Sequence, residues 1–496
     1  MFGRIRNAVK AFRSYEAAKD MRSSAGWAPS GSSATAEVGA AAATVARRAR
    51  DAVRNDPYAS RIVDLWAGNA VGTGITTSWP ETPHNDAWKR WANSTACDAE
   101  QRLDFSGIQA LVMRAVVESG ECFVRMLPAD VTRANPVGLR LQVLESDHLD
   151  TARNGNIDGI PTLQGIGLGD AGQPVGYWLY RVHPGQSWLV PGRSLPGTYL
   201  SSEFLPARDV LHIYRKRRPG QLRDVSWLAP VLSRLRDLGD YEAALLMKAK
   251  VEACLTIIST DDGEDGLTGD AGALLRDSQG RAVESLVPGM ILNRRSGGGV
   301  EVVNPSGGGS HVAFARRALE ASAVGAGLTY DQVSGDLTQA NYSSLRAGKI
   351  EFRRLCEQVQ NGMLIPMLIR PIADRFHAQG HMLGFWAEEL TKDVIHTAPA
   401  HEMIDPLKDT SALIAQVRAG FVPQPDAVGS FGYDFRTIVE AIREANALLD
   451  EAGIALDTDS RRVAKSGVAH DAAQIAAIEI AATGAASSAQ QGQGTP

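Results

Sequence analysis

At 496 residues the chain exceeds what a single hydrophobic core usually serves, so two or more domains are expected. Hydrophobic residues make up 44% and charged residues 22%, the balance of an ordinary soluble protein. A net charge of −5 excludes a chain that coats nucleic acid non-specifically, which needs a dense excess of cations, but leaves room for a local patch.

Cys97, Cys122, Cys254 and Cys356 stand far apart with no Cys-x-x-Cys pair, which argues against a disulfide framework or zinc knuckle and fits a reducing compartment. No apolar run approaches the roughly 20 residues of a bilayer span. Met1 to Lys10 is basic without an apolar segment, so no secretory signal is expected and the chain reads as cytosolic.

Residues 1–45, basic and then rich in Ser, Gly and Ala, are expected to form a mobile arm, because small residues bury too little to offset ordering. Helical patterns follow over 46–55, and from Tyr58 through Ile62, Val63, Leu65, Trp66 and Ala70, with Asn55-Asp56-Pro57 as break and cap. Trp88 and Trp91, three apart, are read as core. Another helix is predicted from about Phe105 to Ser119, ended by Gly120. Four strands are then expected: from Glu121, from Leu139, from Gly176 and at Val210–Tyr214, with Gly, Pro and Asn clusters between them. Arg208 to Leu232 reads as a strand, a basic turn closed by Pro219-Gly220, and the start of a helix capped by Ser226.

Beyond Ser226 the period becomes helical. Leu228, Val231, Leu232, Leu235, Leu238, Tyr241, Leu245 and Leu246 mark a helix reaching about Ala253, on the order of 40 Å long. An acidic insert at 261–265, a short strand at 300–303 and a helix over 311–325 come next. The longest helical pattern runs from Tyr342 to about His377, with Pro366 and Pro371 expected to kink it. Two shorter helices are predicted near 406–419 and 435–452, and the last 20 residues are expected to be disordered. The fold class is α+β: a mixed body up to about residue 225, then long helices.

Catalytic patterns are largely missing. Gly167-Leu-Gly-Asp-Ala-Gly172 matches a dinucleotide loop in form, but Pro174 and a strand follow where that loop must open a helix. Gly348-Lys349 lacks the rest of a phosphate-binding loop, and His401-Glu402 lacks the second histidine of a zincin. The acidic insert lacks the spaced ligands of a calcium loop. No catalytic residue, cofactor or metal is therefore expected. His212 reads as a satisfied core histidine. Arg215, Lys216, Arg217 and Arg218 read as a solvated turn or as ion-pair partners of a neighbouring subunit, the alternative being contact with a phosphate backbone.

The run His212-x-Tyr-x5-Arg218-Pro219-Gly220-Gln221, with Arg223 and then Val225 to Leu232, resembles the hallmark of lambda-type phage portal proteins. Asp224 stands where that family usually has glycine. Arg48 to Asn55 with Pro57-Tyr-Ala59, Asn69 to Ile75, Ser119-Gly-Glu-x-Phe123, Val287 to Met290, Asn341-Tyr342-Ser343-Ser-Leu-Arg346, Ile404 to Lys408 and Gly432-Tyr-Asp434 extend the resemblance over about residues 45–465.

The resemblance implies a non-enzymatic portal protein. It would form a dodecameric ring at one capsid vertex, with double-stranded DNA passing through its channel. Its partners would be other copies of itself, the terminase large subunit, the major capsid protein and a head-tail adaptor, with no membrane. It would be part of the virion, assembled in the bacterial host cytoplasm. The domain plan it implies is an arm (1–45), a wing body (46–225), a region of stem, clip and tunnel loop (226–380), a helical crown (381–465) and a tail (466–496). Arg346, at the start of the long helix, joins the four cations as a candidate for DNA or subunit contact. The alternatives are a DNA-packaging enzyme subunit, which needs a phosphate loop or acidic metal cluster, and a scaffold that closes no ring.

Overall fold

The computed structural model describes residues 29–79, 81–186, 201–254, 275–276, 282–283, 311–338, 341–386, 394–400, 403, 405–454, 456, 459 and 461. The chain divides into two units, Met1–Val394 and Ile395–Pro496.

The first unit opens with α1 (Ala34–Asn55), whose N-cap Ser33 accepts from the Ala36 amide. The expectation of a mobile arm through residue 45 therefore gives way over its last twelve residues. Small residues do bury little, but alanine has the highest helix propensity, and a run of it needs only a cap and a surface to dock on. Asp56 then caps α2 (Pro57–Ala70), accepting from the amides of Tyr58 and Ala59, with Pro57 in the first turn. After β1 (Thr76–Ser78) and α3 (Thr82–Ala92), α4 (Phe105–Ser119) is capped by Asp104 and stopped by Gly120, whose φ of 95° suits glycine.

Three antiparallel strands form the central wall in the order β3–β2–β9: β2 (Glu121–Pro128), β3 (Leu139–Glu145) and β9 (Val210–Tyr214). Side chains alternate across it, so one strand serves two cores. Cys122, Val124, Leu211 and Ile213 pack into the main helical core with Trp66, Trp91, Ile108 and Phe376. Phe123 and Val210 turn to a smaller core with Ile166, Tyr177 and Leu179. A five-stranded antiparallel sheet supplies that second core, in the order β4 (Gly155–Ile157), β5 (Ile160–Leu163), β6 (Ile166–Leu168), β7 (Pro174–Tyr180) and β8 (Ser202–Pro206). Only β7 of these was expected; the others are three to five residues long. The Gly167–Gly172 stretch is the β6–β7 hairpin, with Gly169 donating to the Gln173 carbonyl at 2.8 Å, and no helix opens from it.

The helix expected from Ser226 begins instead at Leu232, as α5 (Leu232–Cys254). Pro230 cannot donate and disfavours helical geometry in the residue before it, so the chain turns before the helix can run. Ser226 caps that turn: its hydroxyl accepts from the Leu228 amide and donates to the Val117 carbonyl, each at 3.1 Å. Leu235 and Leu238 bury the foot of α5, and no residue from 239 to 250 is buried. The acidic insert, the strand at 300–303, the Gly-Gly-Gly stretches and both chain ends lie outside the described residues, as does the side chain of Cys254; Cys97, Cys122 and Cys356 are free thiols.

The helix α6 (His311–Gly325) matches its expected limits, and α7 (Tyr330–Ser334) follows. The long pattern from Tyr342 is one continuous helical path: α8 (Tyr342–Val359), a π-helical stretch Gln360–Ile369, and α9 (Arg370–Met382). Pro366 lies inside the π-helical stretch. Wider i→i+5 turns make room for a ring that would strike the carbonyl four residues back, so the path carries on through both prolines.

The second unit holds α10 (Pro406–Arg418), α11 (Gln424–Gly429), which was not expected, and α12 (Phe435–Glu451). Asp405 and Asp434 cap the outer two. Neither α10 nor α12 has a buried residue, and Leu407, Ile414, Val439, Ile442 and Leu448 stand exposed.

Gly120 joins α4 to β2 where the segment before α5 crosses. A Cβ there would run into the Val225 backbone and lie 2.7 Å from the Asp224 carbonyl oxygen. Gly120→Ala is expected to cost at least about 1–2 kcal/mol from the left-handed backbone alone, with the clash added, read as a lowered denaturant midpoint.

Candidate functional site

The residues that carry the sequence signature converge where β2, β9 and the turn before α5 meet. Glu121 opens β2 directly after Gly120 and is 1% exposed. A buried carboxylate needs a partner, and it has two. Arg223, 5% exposed, donates from Nε at 2.9 Å and from Nη2. His212, on β9, places Nε2 at 3.0 Å from Oε2; a carboxylate can only accept, so Nε2 carries the proton. Burial alone would raise the Glu121 pKa, but Arg223 and His212 outweigh it and hold the carboxyl below its usual range. His212 is also stacked on Phe123, its cross-strand neighbour, with ring centres 4.4 Å apart. His212 is thus buried and held through Nε2, while its Nδ1 takes no hydrogen bond, so the expected satisfied core histidine is met at one ring nitrogen only.

Gln221 organises the basic turn. Its side-chain oxygen accepts from the Arg217 and Arg218 amides at 2.8 and 2.9 Å. Its nitrogen donates to the Arg223 carbonyl at 2.8 Å and to Asp224 Oδ1 at 3.1 Å. The Tyr214 hydroxyl donates to the Gln221 carbonyl at 2.9 Å, closing the turn from the strand side. Gly220 has a φ of 72° and passes its carbonyl to the Thr35 hydroxyl, which docks α1 on the turn; Pro219 is exposed beside it.

The four cations behave differently from one another. Arg215 lies over the Trp227 ring, 5.1 Å from its centre. Arg217 sits 3.5 Å from Asp224 Oδ2, and Arg218 pairs with Glu37 at 2.6 Å. Lys216 is exposed. Three of them thus meet partners in their own chain. Arg346 lies in the first turns of α8, half-buried and away from this cluster in sequence; Asn341 caps that helix through the Ser344 amide at 2.8 Å, and Ser343 is exposed. Of Tyr342 only its place at the helix start is described.

Asp224, which replaces the usual glycine, has no left-handed backbone, so the turn does not require glycine here. Its side chain is 3% exposed, and Oδ2 has no hydrogen bond although Arg217 is near. Burial pushes its pKa up to about 6 against the pull of Arg217, the Val225 amide and Gln221. A cavity of about 200 Å³ beneath Glu121 and Arg223 carries both signs of charge, including Arg47, Asp147 and Asp150, and so selects neither anions nor cations. Glu145, Asp147 and His183 have the spacing of metal ligands, but the Arg50 guanidinium already supplies the positive charge, pairing with both carboxylates. No side-chain set among the described residues is arranged for nucleophilic or acid–base chemistry.

Glu121→Gln leaves Arg223 buried without its counter-charge and is expected to cost about 3 kcal/mol or more, measured by chemical denaturation. Asp224 has a folded pKa above its ordinary 3.8, so folding favours its protonated form and stability falls as pH rises from 3.8 through about 6. Asp224→Asn should therefore be more stable than the parent by up to about 3 kcal/mol at pH 8, with the gap closing below pH 4.

The family described as phage portal protein, lambda family, matches residues 20–360. The probable portal protein of Halomonas phage phiHAP-1 is 25% identical over 347 residues, 66% of this chain and 64% of that one. Portal protein B of Escherichia phage lambda is 24% identical over 352 residues, covering 61% and 62%. The chain thus spans about two thirds of the length of these relatives. Among solved structures, the neck of a native gene transfer agent particle computed with C12 symmetry covers 78% of this chain and 93% of its own, at 15% identity and a TM-score of 0.39. With the signature assembled at one buried junction and the family matched over most of the sequence, the chain belongs to the lambda family of phage portal proteins.

Proposed function

We propose that this portal protein closes into a ring of about twelve copies at one capsid vertex of the virion, with double-stranded DNA passing through its centre. The observation that carries the reading is α5. Its foot is buried, none of its next twelve residues is fully buried although Tyr241 meets Phe314 of α6, and Leu246 and Met247 on it are 57% and 60% exposed. Exposed apolar side chains partway along a thinly packed helix call for neighbours of the same kind, and a ring supplies one on each side. Portal proteins are structural rather than catalytic, so DNA movement is driven by a separate motor. We assign the terminase large subunit, the head-tail adaptor and the major capsid protein as partners, with assembly in the bacterial host cytoplasm.

The electrostatics support passage rather than grip. Three of the four cations of the basic turn meet partners in their own chain, and the net charge is −5. Cations free to hold each passing phosphate would slow transit. In this reading residues 46–225 form the wing, 226–380 the stem, clip and tunnel loop, and 381–465 the crown, with an arm before and a tail after. Arg346 acts at a subunit contact.

Negative-stain images of the purified full chain are expected to show closed rings of about twelve subunits with a lumen wide enough for duplex DNA. Arg346→Ala should lower the ring fraction. A stable monomer at micromolar concentration overturns the reading, and nuclease or ATPase turnover would favour the enzyme alternative.

A further inference from the structure

Far from the signature junction in sequence, one imidazole is buried with no polar partner. His84, in the first turn of α3, is 1% exposed, and neither Nδ1 nor Nε2 has a hydrogen-bond partner. Its ring is stacked between two indoles, Trp79 at 4.4 Å and Trp386 at 4.1 Å, with interplanar angles of 17° and 15°. His377 of α9 lies 5.1 Å away at 27°. Trp386 is held there from α9. Its Nε1 donates to the His377 carbonyl at 2.9 Å, its carbonyl meets His381 Nδ1 at 3.0 Å, and Gly380 leaves the space its ring fills, since a Cβ at 380 would sit within it.

Such a stack suits only the neutral imidazole. Protonation would bury a charge with two unpaired N–H donors, offset only by the faces of the flanking indoles. The group facing His84 from α9 is another imidazole, His377. Asp374 is near His377, and burial raises its carboxyl pKa against the pull of Arg370 and His377. On its own helix, Glu81 is the N-cap, and no ion pair joins it to His84 among the described residues.

We propose that the stack is an acid-released clasp: neutral His84 holds the turn ending at Trp386 against α3, and proton uptake by His84 lets Trp386 go. Burial, with the like charge of His377, lowers the His84 pKa from 6.5 to about 4. The hold is therefore complete above 6.5 and is lost as pH falls toward 4.

Hydrogen exchange of the full chain, with labelling times scaled for intrinsic pH dependence, tests this. Exchange in the peptide spanning 380–386 should rise about tenfold per pH unit once pH falls below 6.5. Peptides from β2 and α4 should stay protected. His84→Phe, which keeps a stacking ring but cannot take a proton, should hold the peptide closed over the same range. His377→Phe, which removes a like charge that helps depress the His84 pKa in the closed stack, should shrink the acid-driven rise. Equal acid release in His84→Phe overturns the clasp, as does loss of protection only together with β2. If His84→Phe does not fold, an undiminished acid-driven rise in His377→Phe overturns it.

Discussion

One buried charge dictates how the first unit is put together. Glu121 sits at the head of a central strand where water cannot reach it, so its charge must be met from within. The partner arrives 102 residues later, on the turn that leads to α5. Arg223 reaches it only if that turn lies against the end of α4, and Gly120 is the residue whose missing side chain leaves the space. His212 ties the same carboxylate to β9. A strand, its neighbour and the base of the long helix are thereby fixed to one point. A paired buried charge adds little net stability over an apolar equivalent, but breaking it is costly. Its value is that it penalises every other placement of the turn.

The basic turn extends this logic outward. A run of four cations would be expected to spread into solvent by mutual repulsion. Gln221 instead gathers the backbone of the turn with its amide, and the cations find an indole face, a carboxylate beneath and a carboxylate on α1. The helix that begins at Ala34 is part of that arrangement, because Thr35 and Glu37 touch the turn. Asp224 is the exception in this cluster: a carboxylate with one oxygen that takes no hydrogen bond, carried in a place where charge is disfavoured.

Elements whose ends are marked by local chemistry were legible from the sequence. Asp56-Pro57, Gly120 and the apolar run Val210–Tyr214 lie where cap, stop and strand signals place them. The α+β class and the family signature were legible for the same reason. What escaped depends on contacts between distant residues. The alanine-rich start of α1 reads as an arm until its docking site is known, and Pro230 delays a helix that periodicity alone would start at Ser226. The Glu121–Arg223 pair has no local trace except a glutamate opening an apolar strand right after a glycine. The short strands around β7 carry too few residues for alternation to show.

The uncovered body of α5 has a thermodynamic consequence. A dozen helical residues with little tertiary packing beyond Tyr241 against Phe314 are marginal in water, so their order rests on the buried foot at Leu235 and Leu238, on α6 and on whatever covers the exposed side chains. When that cover is another copy, helical content becomes a function of protein concentration, and folding of the outer turns and recruitment of the next subunit become one equilibrium. Dilution would then unwind the helix from its far end while leaving the wall of strands intact.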